Sequence, residues 1–200
     1  PEFRMVQHYH DHEAYIQALA NSISSFQEKN GQPEKLLFSF HGLPQKYLDQ
    51  GDPYFCECNK TARLVAEKLG LKKDQWILAF QSLFGREEWL KPYVKNTLTS
   101  WANEGVKNIQ VICPGFSADC LETLEEIAVE NRGIFLEAGG ESFKYIPALN
   151  DRPDHINALA ELAMRHMQGW PELDPEWNVS HANRDEEATL ARAKALGAKS

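Results

Sequence analysis

Short apolar segments that alternate with helix-length amphipathic segments constrain the fold of this chain more than any other feature. Residues 35–40 (KLLFSF), 76–82 (WILAFQS) and 108–113 (NIQVIC) are apolar on both sides of the chain and are bounded by glycine, proline or polar residues. Runs of this length are typical of strands that are buried on both faces of a sheet. A shorter run at 143–147 predicts a fourth strand.

Amphipathic helices are predicted between these strands. Residues 11–30 place Tyr15, Leu19 and Ile23 four apart, and Gly31 follows as a stop signal. Further helices are predicted at 55–69, 89–104, 121–138 and 153–168. Strands joined by such helices need crossover connections, which produce a parallel sheet. The sequence therefore predicts an α/β, Rossmann-like domain with a four-stranded parallel sheet flanked by helices.

The composition changes after residue 168. From Gly169 onward, prolines and tryptophans precede a charged helix candidate at 185–196. We therefore predict one domain over residues 11–168 and a C-terminal tail over residues 169–200. The chain begins Pro-Glu-Phe-Arg without methionine, which indicates a piece of a longer protein.

Charge and cysteine usage exclude several classes of function. The chain has 21 basic and 29 acidic residues, a net charge of −8, so nucleic acid is not expected as a partner. The four cysteines lie in a chain of 200 residues without secretory features, which favours reduced thiols and a cytoplasmic location. No G-x-G-x-x-G or G-x-x-x-x-G-K-[ST] motif is present, so neither NAD nor ATP is supported.

His41 is the first candidate for chemistry, because it directly follows the first predicted strand. Ligands of parallel sheets bind at the carboxyl ends of strands. An imidazole at that edge can exchange a proton near neutral pH or bind a metal. The alternative is a histidine that only hydrogen-bonds the turn.

An acidic cluster after the third strand is the second candidate. Glu122 and Glu126 are four residues apart, so both carboxylates can share one helical face, where they could transfer protons or hold a hard cation. Asp119 and Glu125 belong to the same cluster. The alternative is a capping box, with Asp119 as N-cap and Glu122 three residues later.

Two other patterns could bind a metal. Cys56 and Cys58 form C-x-C, a spacing that no common zinc module uses. His8, His10 and His12 alternate, so an extended segment would place three imidazoles on one side, although a solvated linker is the simpler interpretation. The remaining histidines are predicted to lie at the surface: His155, His166 and His181.

Four motifs in register resemble the C-terminal half of ferrochelatases of the proteobacterial type. Their order and spacing agree over residues 5–168. The motifs are LLFSFHGLP at 36–44, GDPY at 51–54, FQS at 80–82 with Gly85 and Trp89-Leu90, and CPGFSADCLETLEE at 113–126.

The resemblance implies an enzyme that inserts Fe²⁺ into a porphyrin, protoporphyrin IX or coproporphyrin III, in haem biosynthesis, with release of two protons. It implies that His41 and Glu122 are the catalytic and metal-binding pair, and that Glu126 continues the metal site. It also implies that three residues contact the porphyrin: Ser82, Trp89 and Phe116.

The resemblance also implies partners and cofactors. Residues 1–10 would be the remnant of a linker from an absent N-terminal domain, so the isolated chain should be weakly active. Iron is the substrate, no permanently bound cofactor is expected, and no [2Fe–2S] cluster is expected because no cysteine follows Cys120. Peripheral contact with a membrane stays open. The alternatives are a cobalt or sirohydrochlorin chelatase of the same superfamily, or a catalytically silent half-domain.

Overall fold

A computed structural model describes residues 3–199 of the chain. The chain divides into two compact units, one over Met5–Ala160 and a smaller one that combines the chain up to Arg4 with residues from Glu161 onward. Within residues 3–199, none of the helices combines the length and the apolar character that crossing a membrane requires.

The larger unit is built on a four-stranded parallel sheet, as the sequence predicts. The strands are β1 (Lys35–His41), β2 (Trp76–Gln81), β3 (Asn108–Ile112) and β4 (Ser142–Ile146). Their spatial order is β2-β1-β3-β4, and every neighbouring pair is parallel. After β1, the chain adds β2 on one side of β1 and then β3 on the other side. Ligands of open α/β sheets bind at the carboxyl ends of the strands where the strand order reverses in this way, which here is the carboxyl end of β1.

Apolar side chains on the two faces of the sheet form two separate cores. In β1, Leu36, Phe38 and Phe40 contribute to one core, whereas Leu37 contributes to the other. This division follows from the strand geometry, since successive side chains point to opposite faces. The five central residues of β1 are buried, which explains why its sequence is a continuous apolar run.

Helices cover both faces of the sheet. The helices α1 (Glu13–Asn30) and α3 (Tyr54–Lys68) pack against each other on one face. On the other face, α4 (Val94–Asn103) packs against β2 and against α5 (Arg132–Glu137). The remaining helices of the described residues are the short α2 (Gln45–Asp49), a π-helix (Glu122–Asn131), α6 (Pro153–His166), a 3₁₀ turn (Pro171–Leu173) and α7 (Val179–Ala195).

Two helices predicted within the larger unit differ from the structure in their start or type. The helix predicted at 89–104 begins only at Val94, because Pro92 disfavours helical backbone at the residue before it and has no N–H for the ladder. The helix predicted at 121–138 is a π-helix over Glu122–Asn131, followed by the α-helix α5. Periodicity does not reveal this change in hydrogen-bond pattern, because both helix types place residues four apart on one face.

The surface position predicted for His155 is wrong. Its side chain is buried, with 2% of the residue exposed, and its Nδ1 atom lies 2.8 Å from the carbonyl oxygen of Asn150. His166 and His181 are exposed as predicted. The charged helix predicted at 185–196 begins earlier, at Val179, because the Asn178 side chain accepts a hydrogen bond from the Ser180 N–H and caps it.

Candidate active site

The candidate site begins where β1 and β2 end side by side. His41 is the last residue of β1, Gln81 is the last residue of β2, and the two are paired in the sheet register. Gly42 follows His41, and its N–H donates to the carbonyl oxygen of Gln81 at 2.8 Å. A Cβ at Gly42 would lie 2.9 Å from that same oxygen, so glycine is needed for this close approach.

The imidazole of His41 is oriented by its own turn. Its Nδ1 atom lies 2.7 Å from the carbonyl oxygen of Gly42, which can only accept a hydrogen bond. Nδ1 therefore carries the proton, and in the neutral ring Nε2 keeps its lone pair. Tyr54 donates its hydroxyl to the His41 carbonyl at 2.9 Å, and the Trp89 ring centroid lies 6.5 Å from the imidazole. His41 therefore hydrogen-bonds its own turn through Nδ1 and still has a lone pair on Nε2 for a proton or a metal ion.

Gln81 connects the sheet to the π-helix. Its Oε1 atom accepts from the Ser39 hydroxyl at 2.6 Å and from the Cys113 thiol at 3.5 Å. Its Nε2 atom donates to the Glu122 carbonyl at 2.8 Å and to the Glu126 carboxylate at 3.2 Å. Sequence reasoning did not single out this residue, although a glutamine at the end of a buried apolar strand is a signal that could have identified it.

Ser82 and Glu126 form a tight contact at the edge of the sheet. The Ser82 N–H and its hydroxyl each donate to the Glu126 carboxylate at 2.6 Å. Ser82 has φ +63°, a left-handed conformation that costs a non-glycine residue of order 1 kcal/mol. The two charge-assisted hydrogen bonds offset that cost. Glu126 is therefore held in place on the side that faces the end of β2.

The π-helix carries a line of carboxylates. Glu122, Glu126 and Glu130 follow one another at four-residue spacing and border the same cavity. Hydrogen bonds from the Cys120 side chain and from the Glu122 backbone lower the pKa of Glu122, and attraction to His41 lowers it further. Glu122 is therefore ionised at neutral pH. Glu130 was not singled out in the sequence, although the same spacing extends to it.

Asp119 does not form the capping box considered as an alternative. The π-helix has no side-chain cap, and the Asp119 carboxylate instead accepts from Tyr145 at 2.7 Å and from the Asn150 side chain at 2.8 Å. Burial alone would raise the pKa of Asp119, but these hydrogen bonds outweigh it and the pKa lies below its usual value. Asp119 thus ties the loop after β3 to the loop after β4.

A cavity of about 490 Å³ lies beside this edge of the sheet. Its acidic lining is the carboxylate line together with Glu125, and Ser82 also lines it. Its apolar residues come from the end of β2, the following loop, α4 and both ends of the helical segment after β3: Phe80, Leu83, Phe84, Val94, Leu121 and Ile134.

The structure brings together five of the six residues predicted for the site, since Trp89 lies beside His41. Ser82, Glu122 and Glu126 border the cavity, and His41 lies next to Gln81, which also borders it. Trp89 lies in the loop before α4, where its indole N–H donates to the Phe84 carbonyl at 2.9 Å. Phe116 is half-buried and packs against the core on the α4 side, outside the cavity lining.

The fold and this edge together define the class of protein. A four-stranded parallel sheet covered by helices, with a histidine and a line of carboxylates at its carboxyl edge, is a Rossmann-like α/β domain. A solved structure of SirB from Bacillus subtilis with Fe³⁺ has a similar fold, with a TM-score of 0.51 at 10% sequence identity. The similarity covers 75% of this chain and 54% of that chain.

The chain belongs to the ferrochelatase family, whose sequence model matches residues 1–167. The ferrochelatase of Nitrosococcus oceani is 55% identical over 199 residues, which cover 100% of this chain and 54% of the relative. The ferrochelatase of Hydrogenovibrio crunogenus is 57% identical over 192 residues, which cover 96% and 50%. The chain thus spans about half the length of these curated relatives.

Proposed function

We propose that this chain is the C-terminal half of an enzyme that inserts Fe²⁺ into a porphyrin, protoporphyrin IX or coproporphyrin III, in haem biosynthesis. The observation that carries the proposal is the position of His41 and of the carboxylate line at the same edge of the sheet, in a chain similar to proteins named ferrochelatase. The other half of the porphyrin cleft would come from an N-terminal domain, since the relatives are about twice as long.

The reaction needs a base close to the porphyrin centre, because metal insertion releases two pyrrole protons. His41 suits this role, since its protonated Nδ1 is held by the Gly42 carbonyl and the lone pair on its Nε2 can accept a proton. The same nitrogen can bind a metal ion when it is unprotonated. His41 therefore serves as a proton acceptor, as a metal ligand, or as both in succession.

The carboxylates suit the charge balance of the same reaction. A ferrous ion loses bound water as it approaches the ring, and an ionised Glu122 can replace that water or accept a released proton. The Glu126 carboxylate is held in place by two hydrogen bonds from Ser82. It therefore places a second carboxylate at a defined position, four residues after Glu122 on the same helix. We propose that Glu122 and Glu126 contact iron and that protons leave along the same carboxylates.

The apolar surface around the cavity suits a large flat ligand. Three apolar residues that line it are exposed, Leu83 by 55%, Phe84 by 65% and Leu121 by 74%. Exposed apolar side chains grouped at a cavity are typical of binding sites. We propose that they contact the porphyrin or the N-terminal half, together with Ser82, Trp89 and Phe116.

The compartment and the further partners belong to the same proposal. The four free cysteines and the acidic composition favour a cytoplasmic location without a nucleic-acid partner. Contact with a membrane surface would be tested by sedimentation with phospholipid vesicles.

The test is anaerobic insertion of Fe²⁺, followed by porphyrin absorbance, with this chain and a separately expressed N-terminal half. We expect turnover from the mixture, little from this chain alone, and loss of turnover with His41→Ala or Glu122→Gln. Exposed residues supply the matched controls, and His166→Ala and Glu28→Gln should both retain turnover.

The remaining outcomes separate the alternatives. Insertion of Co²⁺ into sirohydrochlorin without any ferrous insertion into porphyrin would identify the related chelatase instead. No turnover with either substrate, from halves that fold and associate, would support a silent half-domain. Turnover that survives His41→Ala would refute the proposed base.

A further inference from the structure

A second group of metal-ligating side chains lies on the α1 and α3 side of the sheet. His8 and His10, in the segment before α1, converge on Glu57 of α3. Their Nδ1 atoms lie 2.6 Å and 3.7 Å from the same oxygen, Oε1 of Glu57. One ligand atom from each of the three residues lies within 4.8 Å of the others, and no other such group occurs in residues 3–199.

The segment that carries the two histidines is held in place by its backbone. The Thr61 hydroxyl donates to the His10 carbonyl at 2.7 Å, and the His12 N–H donates to the Tyr9 carbonyl at 3.0 Å. The Tyr9 ring packs edge-on against Tyr15 of α1, with ring centroids 5.3 Å apart. The alternation of the histidines therefore places two imidazoles on one side of an ordered segment.

His10 has a ring nitrogen that the protein does not satisfy. Among the described residues, its Nδ1 atom is buried and has no hydrogen-bond partner. Its Nε2 atom faces the Asp11 carboxylate, 3.9 Å away, which is itself paired with Lys60. A buried imidazole nitrogen without a partner is costly, and metal coordination is one way to satisfy it.

We propose that His8, His10 and Glu57 bind a divalent transition metal ion of the zinc class, separately from the candidate active site. Two imidazoles and one carboxylate are a ligand set that zinc uses with water in the fourth position. Ligands about 2.1 Å from a tetrahedral ion lie about 3.4 Å apart, and the two distances to Glu57 bracket that value. Small side-chain rotations would therefore admit the ion.

The bound ion would connect two parts of the chain that are far apart in sequence. Glu57 lies 47 residues after His10, on a helix that packs against α1. The ion would join the segment that enters α1 to the helix α3. It would thereby stabilise the start of the larger unit, and this role does not depend on the proposed function.

The test uses untagged chain stripped with a chelator and titrated with Co²⁺ at pH 7.5, with the visible d–d absorption of the ion as the readout. We expect one equivalent to bind at His8, His10 and Glu57, Zn²⁺ to displace that equivalent, and Zn²⁺ to raise the Tm. His8→Ala and Glu57→Gln should each weaken binding more than roughly tenfold and abolish the rise in Tm. His8 is 41% exposed, so its removal should leave the chain folded.

Two control variants test whether the loss is specific. His181→Ala and His166→Ala each remove an exposed histidine outside both sites and should bind Co²⁺ like the unmodified chain. Binding that persists unchanged in both His8→Ala and Glu57→Gln would overturn the proposal, and so would binding lost in His41→Ala alone. The absence of any Co²⁺ spectrum would also overturn the proposal and leave His8 and Glu57 as a contact within the chain only.

Discussion

Replacement of Gln81 by leucine should destabilise the chain, because it removes the hydrogen-bond acceptor of the buried Ser39 hydroxyl. Gln81 is 4% exposed, and it accepts from Ser39, whose hydroxyl is fully buried in the centre of β1. Leucine has a similar size but no acceptor, so Gln81→Leu leaves the Ser39 hydroxyl without its partner. It also removes the donor to the Glu122 carbonyl and to the Glu126 carboxylate.

The magnitude follows from these contacts. A buried polar group left unsatisfied costs about 1–3 kcal/mol, and each lost hydrogen bond about 1 kcal/mol. The Glu126 carboxylate keeps both bonds from Ser82, so it loses only its longest partner. We therefore expect Gln81→Leu to lower the free energy of unfolding by about 2–4 kcal/mol.

A double-mutant cycle isolates the contribution of the hydroxyl. Ser39→Ala removes the group that Gln81→Leu leaves unsatisfied, so Gln81→Leu should cost about 1–2 kcal/mol less in that background. Urea unfolding of the four proteins measures this coupling. Gln50→Leu, at an exposed glutamine, is the matched control and should change the stability by less than about 0.5 kcal/mol. Equal costs of Gln81→Leu in both backgrounds would refute the reasoning.

Three further predictions concern the room for a side chain at two glycines, the reactivity of a buried thiol, and stability at acid pH. Gly42→Ala should lower the free energy of unfolding by about 1–3 kcal/mol, because its Cβ would lie 2.9 Å from a backbone oxygen. Gly133→Ala has open space around it in α5 and should leave the stability unchanged or raise it in the same urea experiment. Burial raises the pKa of Cys58 to about 12, so at pH 8 its thiol should react with a disulfide reagent far more slowly than the exposed Cys56. Equal rates for the two thiols would contradict its burial. The lowered pKa of Asp119 contributes stability that is present above its unfolded pKa of 3.8 and lost as pH falls through the folded value. Asp119→Asn should therefore lose less stability than the unmodified chain between pH 5 and pH 2, as urea midpoints at several pH values would show, and parallel curves would argue against this account.

The sheet could be predicted because its signals are local. Each strand is a short apolar run, and alternating side chains of the same run fill the cores on opposite faces, as Leu36 and Leu37 do in β1. His41 could be placed at the carboxyl edge because it directly follows such a run. The π-helix could not be predicted, since the four-residue spacing of Glu122 and Glu126 fits an α-helix as well.

Contacts between residues that are far apart in sequence could not be predicted from these local patterns. Asp119 fits a capping box by spacing, but its hydrogen bonds go to Tyr145 and Asn150 on the next strand and loop, because β4 lies beside β3. His10 fits a solvated linker by composition, yet the packing of α3 brings Glu57 to it. In both cases the partner is set by which elements are neighbours in space.

By itself, the sequence determined the fold class, the parallel sheet and the position of His41 at its edge, because hydrophobic periodicity and turn residues act over a few positions. The tertiary structure alone decided which polar groups meet. The bonds of Gln81 to the π-helix, the contact between Ser82 and Glu126, and the convergence on Glu57 each depend on one strand or helix lying against another. A buried polar group needs a partner, and packing determines which one is within reach.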